Sequence, residues 1–245
     1  MSRGYGQYCP LSLAAEVLCE RWTLLVVSRL LMNCSRFNEI HKGLPRMSAS
    51  LLSQRLLQLE ESGVLRREKI TDGRGYSYHL TEAGRDLASL VNGFAVWGHE
   101  WARDLTQSDL DPRFLVWSMH LRLDTRKMPA GRTVLEFDFS GAPADCRRFW
   151  LVNDNGEVEM CLTHPGFDVD LSVRSDLKVF VECWRGFRDL RNEIRARRIK
   201  LRGPRDLKRQ FPDWLLLHVL AGHERKRGGP ERTLARRSAK YSSSD

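Results

Sequence analysis

The 245-residue chain lacks several features that would commit it to a particular chemistry. Its six cysteines, at 9, 19, 34, 146, 161 and 183, form no C-x-x-C pair and no metal-finger spacing. Neither a disulfide framework nor a structural zinc site is therefore expected, and most of these cysteines should be buried small apolar residues. The longest nearly apolar run, residues 22–32, has 11 residues and already contains Ser28 and Arg29; crossing a bilayer takes roughly 20. The opening MSRGYGQYCP has no apolar signal region, so the chain is expected to stay in the cytoplasm. There is no internal repeat, no Gly-rich phosphate loop and no metal-ligand spacing, and no cofactor or metal is called for. With 18 glycines and 9 prolines, a collagen-like or low-complexity chain is excluded.

Apolar residues make up 42% of the chain and charged residues 29%, a balance that supports a buried core. The net charge of +9 invites a nucleic-acid partner, but its distribution weakens that inference. Residues 1–105 hold 13 basic against 11 acidic residues, residues 106–220 hold 20 against 17, and residues 221–245 hold 7 against 3. Nearly half of the excess thus lies in the last 25 residues. Residues 224–245 look like a disordered basic tail, either a solvated end or a source of salt-sensitive phosphate attraction.

Residues 11–105 alternate helical patterns with one hairpin. Segments 11–18 and 22–31 are apolar and of helical length, and Phe37, Ile40 and Leu44 mark a short amphipathic helix ended by Pro45. Ser48 is a good N-cap for a helix with Leu52, Leu56 and Leu59 on one face and Gly63 at its end. Its other face is expected to present Ala49, Ser50, Ser53, Gln54 and Arg55. Two strands follow, 64–71 and 76–80, joined by a Gly-rich turn with Arg74 at its tip. A helix then starts at Thr81 and Glu82 and runs to about Leu105. Its bulky stripe of Leu87, Leu90, Val91, Phe94, Trp97 and Trp101 requires a covering surface, which a second subunit would supply.

Helix, short helix, Leu-patterned helix, basic-tipped hairpin, helix is the order of a winged helix-turn-helix. The chemistry suits duplex DNA: Gln and Arg can pair with base edges in the major groove while Ser positions against phosphate. The candidate DNA-binding residues are Arg36, Ser48, Ser50, Ser53, Gln54, Arg55, Gln58 and Arg74. The alternative is a solvated helix face, and the surrounding element order favours the DNA reading.

These residues also carry a family resemblance. Cys9-Pro10, Arg21-Trp22-Thr23, Arg36-Phe37-Asn38-Glu39, Leu52-Ser53-Gln54-Arg55-Leu56 and Leu80-Thr81-Glu82-Ala83-Gly84 make residues 7–105 resemble the HxlR-type winged helix-turn-helix regulators of bacteria. The resemblance implies a homodimer joined through terminal helices, binding a pseudo-palindromic operator. Some similar proteins have a redox-responsive thiol near the position of Cys9. Such a role needs an accessible thiolate of lowered pKa, and the alternative is a small, at least half-buried residue.

From Asp109 the pattern changes to a helix over 114–121, strands over 133–139, 148–153, 158–162 and 168–173, helices over 176–185 and 187–197, a short strand at 199–201 and a final amphipathic segment. This α+β part resembles the sterol-carrier-protein-2-like (SCP2-like) fold, which implies a pocket for a hydrophobic ligand. Phe149, Leu151, Met160, Leu162, Phe180 and Trp184 are the candidate lining, each equally readable as core. Arg197-Arg198 precede the short strand where a small residue is usual in that fold. No catalytic residue is assigned. Cys161, His164, Asp168 and Asp170 are the one mixed cluster, but they sit in a turn and on the solvent side of a strand, with no second base or oxyanion device.

The expected fold is a mostly α winged helix-turn-helix followed by an α+β domain. The boundaries are 1–105 for DNA binding and dimerisation, 106–223 for the SCP2-like ligand-binding part and 224–245 for the tail. The expected function is a non-enzymatic transcriptional regulator binding double-stranded DNA, with a lipid carrier using its winged helix for protein contacts as the competing class.

Overall fold

The computed structural model describes residues 4–71, 73 and 75–227. They fall into two compact units that divide between Ala95 and Val96.

The first unit contains α1 (Pro10–Leu18), α2 (Thr23–Leu31), α3 (Phe37–Lys42), α4 (Ala49–Glu61), β1 (Leu65–Lys69), β2 (Tyr76–Leu80) and most of α5 (Glu82–Trp101). Val26, Val27, Leu30, Ile40, Leu44, Leu52, Leu56 and Leu59 form its buried centre, so α2, α3 and α4 each contribute one apolar stripe. The α4 N-terminus is set by Ser48, whose Oγ accepts the Leu51 N–H, and its end by Gly63 at φ +72°. β1 and β2 pair antiparallel from Leu65 opposite Leu80 to Lys69 opposite Tyr76. The Tyr78 N–H donates to Ser35 O at 2.8 Å, anchoring the hairpin to the entrance of α3. Thr81 joins the end of α4 to the start of α5. Its hydroxyl donates to Gly63 O (2.6 Å) and accepts the Gly84 N–H (3.2 Å). Gly84 is required for this approach, because a Cβ there would lie 2.1 Å from Val64 O.

The second unit adds α6 (Pro112–His120), β3 (Arg132–Ser140), β4 (Arg148–Asp154), β5 (Glu157–Cys161), β6 (Leu171–Asp176), α7 (Leu177–Trp184), α8 (Leu190–Arg195), β7 (Ile199–Arg202) and α9 (Arg205–Trp214). The strand order is β5-β4-β3-β6-β7, parallel only between β3 and β6. Leu135, Phe137, Phe139, Phe149, Leu151, Leu171 and Val173 point from one sheet face into a core shared with α6, α7 and α9. Phe180 of α7 meets Phe137 and Phe139 edge-on at 6.0 and 5.3 Å between ring centroids.

Three expectations are corrected. β6 begins at Leu171 rather than near 168, because both the backbone N–H and the carboxylate of Asp170 bond the Val134 backbone as the chain crosses to its strand. The second unit begins inside α5, ahead of the expected boundary at 105, because His99 is buried in it. The His99 Nε2–H donates to His223 O (3.0 Å), Nδ1 accepts from Arg185 (3.3 Å) and the ring packs on Phe187. Finally, Glu224–Arg227, expected in a disordered tail, is held in place: Arg225 donates to His99 O and Ala102 O and pairs with Asp104. The backbones of Lys226 and Arg227 bond Glu100 O. The rest of the tail assignment, residues 228–245, lies outside the described residues.

Burial, with the nearby Arg185, His223 and Arg225, holds the His99 imidazole below its ordinary pKa despite the His223 carbonyl. A depressed histidine pKa gives stability that is present above the unfolded value of about 6.5 and lost as pH falls through the folded value. Thermal unfolding of the second unit should therefore move to lower temperature below about pH 6.5. His99→Gln should flatten that dependence, and an unchanged pH profile in the variant would contradict the role given to His99.

Candidate nucleic-acid interface

On α4 the exposed positions are Ala49, Ser50, Ser53, Gln54, Leu57 and, at its C-terminal end, Glu61, and the buried ones are Leu52, Arg55, Leu56 and Leu59. The outward face is thus short and polar with one apolar edge. Gln54 carries the amide on it, able to donate and accept together. Ser53 Oγ donates back to Ala49 O (3.0 Å), and Ser48 Oγ, 3.2 Å from Ser50 Oγ, is committed to the helix cap. Glu39 holds the entrance to α3 by accepting the Ser35 and Arg36 N–H groups, which leaves the Arg36 side chain exposed at that corner. His41 Nε2 lies 2.8 Å from Met47 O and pins the turn between α3 and α4. Lys42 and Arg46, exposed on and beside that turn, were missed by the sequence analysis. Charge in a helix-joining turn was the available signal.

Arg55 is the main correction. It is only 8% exposed and points inward, donating from Nε to Arg21 O (3.0 Å), from Nη1 to Gln58 Oε1 (2.5 Å) and from Nη2 to Glu20 Oε2 (2.7 Å). These bonds also occupy Gln58, which is half-buried. Neither residue belongs to the outward face. The spacing explains why: Arg55 follows Leu52 by three and precedes Leu59 by four, so it lies on the core stripe. Arg74 lies outside the described residues.

Apolar side chains are exposed elsewhere on the helices. On α5, Leu90, Phe94, Trp97 and Trp101 are 52%, 62%, 62% and 44% exposed, while Leu87 and Val91 are half-buried. α1 has no buried residue and exposes Leu11 and Leu13, with Tyr8 just ahead of it. Cys9 stands exposed at the α1 N-cap, where the N–H groups of Ser12 and Leu11 favour its thiolate and lower its pKa. Contrary to the expectation of mostly buried cysteines, Cys19 is exposed too, Cys146 and Cys161 are half-buried, and only Cys34 and Cys183 are buried.

The candidate ligand-lining residues do not form one surface. Phe149, Leu151, Phe180 and Trp184 are core, Met160 packs at its edge, and Leu162 is 54% exposed. Arg198 pairs with the buried Glu193. Of the mixed cluster, His164 packs edge-on against Trp150 and accepts the Gly166 N–H, and Asp170 accepts the Val134 N–H.

Truncating Arg55 removes a buried ion pair and two further hydrogen bonds from α4. Arg55→Ala should cost about 2 kcal/mol, lowering the urea midpoint of the first unit. A variant of unchanged stability would contradict the lock described for it. Cys9 should be alkylated by iodoacetamide at neutral pH well before Cys183, whose thiol burial pushes up to about 12; equal labelling rates on peptide mapping would contradict these environments.

Residues 17–106 match the family model of the HxlR-like helix-turn-helix. The chain is 36% identical over 112 residues to the HTH-type transcriptional regulator YvaP of Bacillus subtilis, an alignment covering 45% of this chain and 96% of that protein. It is 37% identical over 91 residues to an HTH-type transcriptional regulator of Mycobacterium tuberculosis, covering 36% of this chain and 56% of the other, so it spans about half of that relative's length. The reduced form of the transcriptional regulator YodB from B. subtilis is similar at 28% identity, covering 39% of this chain and 95% of that one, with a TM-score of 0.35. Among the described residues no helix is long and apolar enough to cross a membrane. Through its first unit the chain belongs to the HxlR-like helix-turn-helix family of transcriptional regulators.

Proposed function

We propose that this protein regulates transcription by binding operator DNA as a homodimer in the cytoplasm. The observation that carries the reading is the division of α4 into a core stripe and a polar outward face on a scaffold with the family's element order. In this reading Gln54 pairs with a base edge in the major groove, and Ser50 and Ser53 lie against the groove wall. Arg36, Arg46 and Lys42, with Arg74 of the wing, neutralise phosphates. The exposed apolar stripe of α5 and the exposed leucines of α1 join the two copies, since apolar surface of this kind is unusual on a monomer.

The second unit lays helices on one face of a five-stranded sheet, which supports the SCP2-like reading and, with it, an effector-sensing role. A hydrophobic effector would have to part the packed rings of Phe137, Phe139 and Phe180.

Gln54→Ala should lower the preference for a duplex selected from a random pool by about 1 to 3 kcal/mol per copy, without changing affinity for random duplex. An unchanged preference would remove Gln54 from the reading surface. Light scattering should give a mass near twice 28.4 kDa. Phe94→Glu/Trp97→Glu should return the mass to that of one chain, and a wild type that stays monomeric at micromolar concentration would end the dimer claim.

A further inference from the structure

The sheet of the second unit has a second face, away from its core, where charge is arranged in register. Arg148 of β4, Asp138 of β3, Arg174 of β6 and Lys200 of β7 are direct cross-strand neighbours in one row. The row crosses four strands, about 14 Å at the usual strand spacing. Arg202 stands opposite Ser172 in the adjoining row, and Arg147 reaches the same carboxylate from the end of the sheet.

Asp138 is buried, with Arg147 Nε at 2.5 Å, Arg174 Nε at 3.7 Å and Arg148 Nε at 4.0 Å. One carboxylate offsets one of these three charges. Among the described residues neither Lys200 nor Arg202 is in an ion pair, and Lys200 directly faces Arg174. Of the other acids on this face, Glu136 beside the row accepts the Ser172 hydroxyl, Asp176 accepts the Lys178 and Val179 N–H groups at the start of α7, Asp154 pairs with Arg132, and Glu157 and Glu159 stand exposed on β5, at the sheet edge opposite Lys200. Like charges directly opposite on neighbouring strands destabilise a sheet. Lys200 guards the edge strand β7, but its place directly opposite Arg174 costs stability in the isolated chain, and an anionic partner would relieve that repulsion.

We propose that the Arg148–Arg174–Lys200 row, with Arg147 and Arg202, is a contact for the phosphate backbone of duplex DNA. The proposal rests on the reading of this chain as a DNA-binding regulator. Guanidinium forks match phosphate oxygens in geometry and charge. The large apolar residues of this face, Val134, Trp150 and Val152, are buried, with Val169 packed on them and His164 against Trp150. The row has no exposed apolar side chain to insert into a membrane and no aromatic anchor for a protein partner. Its contacts are to charge alone, so they strengthen binding without reading sequence.

The test compares the full-length protein with Arg174→Gln/Lys200→Gln, which keeps the Arg147–Asp138 pair, and with Lys200→Gln alone. Fluorescence anisotropy is recorded on a pool-selected duplex and on a random duplex of equal length, from about 50 to about 200 mM salt. For the proposed dimer the slope of log affinity against log salt should shrink by about 3.6 in the double variant and about 1.8 in the single one, as expected for two phosphate contacts and one in each copy. Affinity should fall by the same factor on both duplexes, and melting temperature should hold or rise as the like-charge pair is relieved. Unchanged slopes would overturn the proposal. So would wild-type DNA slopes combined with lost flotation on phosphatidylserine vesicles, which would assign the row to a membrane. A wild type without preference for the selected duplex would defeat the regulator reading, while the slope comparison on random DNA would still decide the role of the row.

Discussion

The buried guanidinium of Arg55 fixes which side of α4 can meet anything outside the protein. A charge taken out of water must be matched by partners in good geometry, or its burial is strongly unfavourable. Here the Arg21 carbonyl, the Glu20 carboxylate and the Gln58 amide supply that match together. They hold the helix in the one rotation that satisfies all three, with Ser50, Ser53 and Gln54 outward. Glu20 and Arg21 belong to the turn between α1 and α2, so the same bonds tie the outward face of α4 to α1. That helix carries Cys9 at its cap and exposed leucines along its length.

The second unit handles buried carboxylates in two ways, and the contrast is informative. Glu193 lies between Arg198 and Arg188, and these cations hold its pKa down. Asp124 is matched by Arg126 and Lys127 beside it in the chain. In both places the cations come from the same or adjoining segments and the balance is local. Asp138 instead gathers arginines from β4, β6 and the segment before β4, then leaves Lys200 of β7 beside them without an acid. A charge balance that is local elsewhere and incomplete in one row is better explained by an external partner than by folding.

The order of elements was legible because it rests on local chemistry. Ser48 and Gly63 bracket α4, apolar positions recur at three and four, and the Gly-rich turn separates two strands. The strand order of the second unit was not legible, since hairpins can be inferred from neighbouring turns whereas the parallel pairing of β3 with β6 depends on residues far apart in sequence. Arg55 was misplaced for a different reason. Its spacing from Leu52 and Leu59 assigns it to the core stripe, but a cationic side chain invites an outward reading, and the acceptor that permits burial, Glu20, is 35 residues away. The ligand-lining set failed on the same ground: alternation finds inward-facing residues, but it cannot distinguish a wall from a filled core.

Moving Arg55 inward changes what one copy of the protein can recognise. A bidentate side-chain contact to a base edge discriminates by about 1 to 3 kcal/mol, and Gln54 is the one outward side chain on α4 of a type that makes such a contact. Specific regulators prefer their sites over random DNA by about 4 to 10 kcal/mol. A single α4 face therefore falls short, whereas two copies, with smaller serine contacts and the energetics of deforming the duplex, come within that range. The exposed stripe of α5 is where the proposed pairing would be built. The cationic row of the sheet cannot make up the difference in specificity, because phosphate contacts raise affinity for every sequence alike. In the proposed regulator the two features divide the work, with dimerisation supplying discrimination and the sheet face supplying strength of binding.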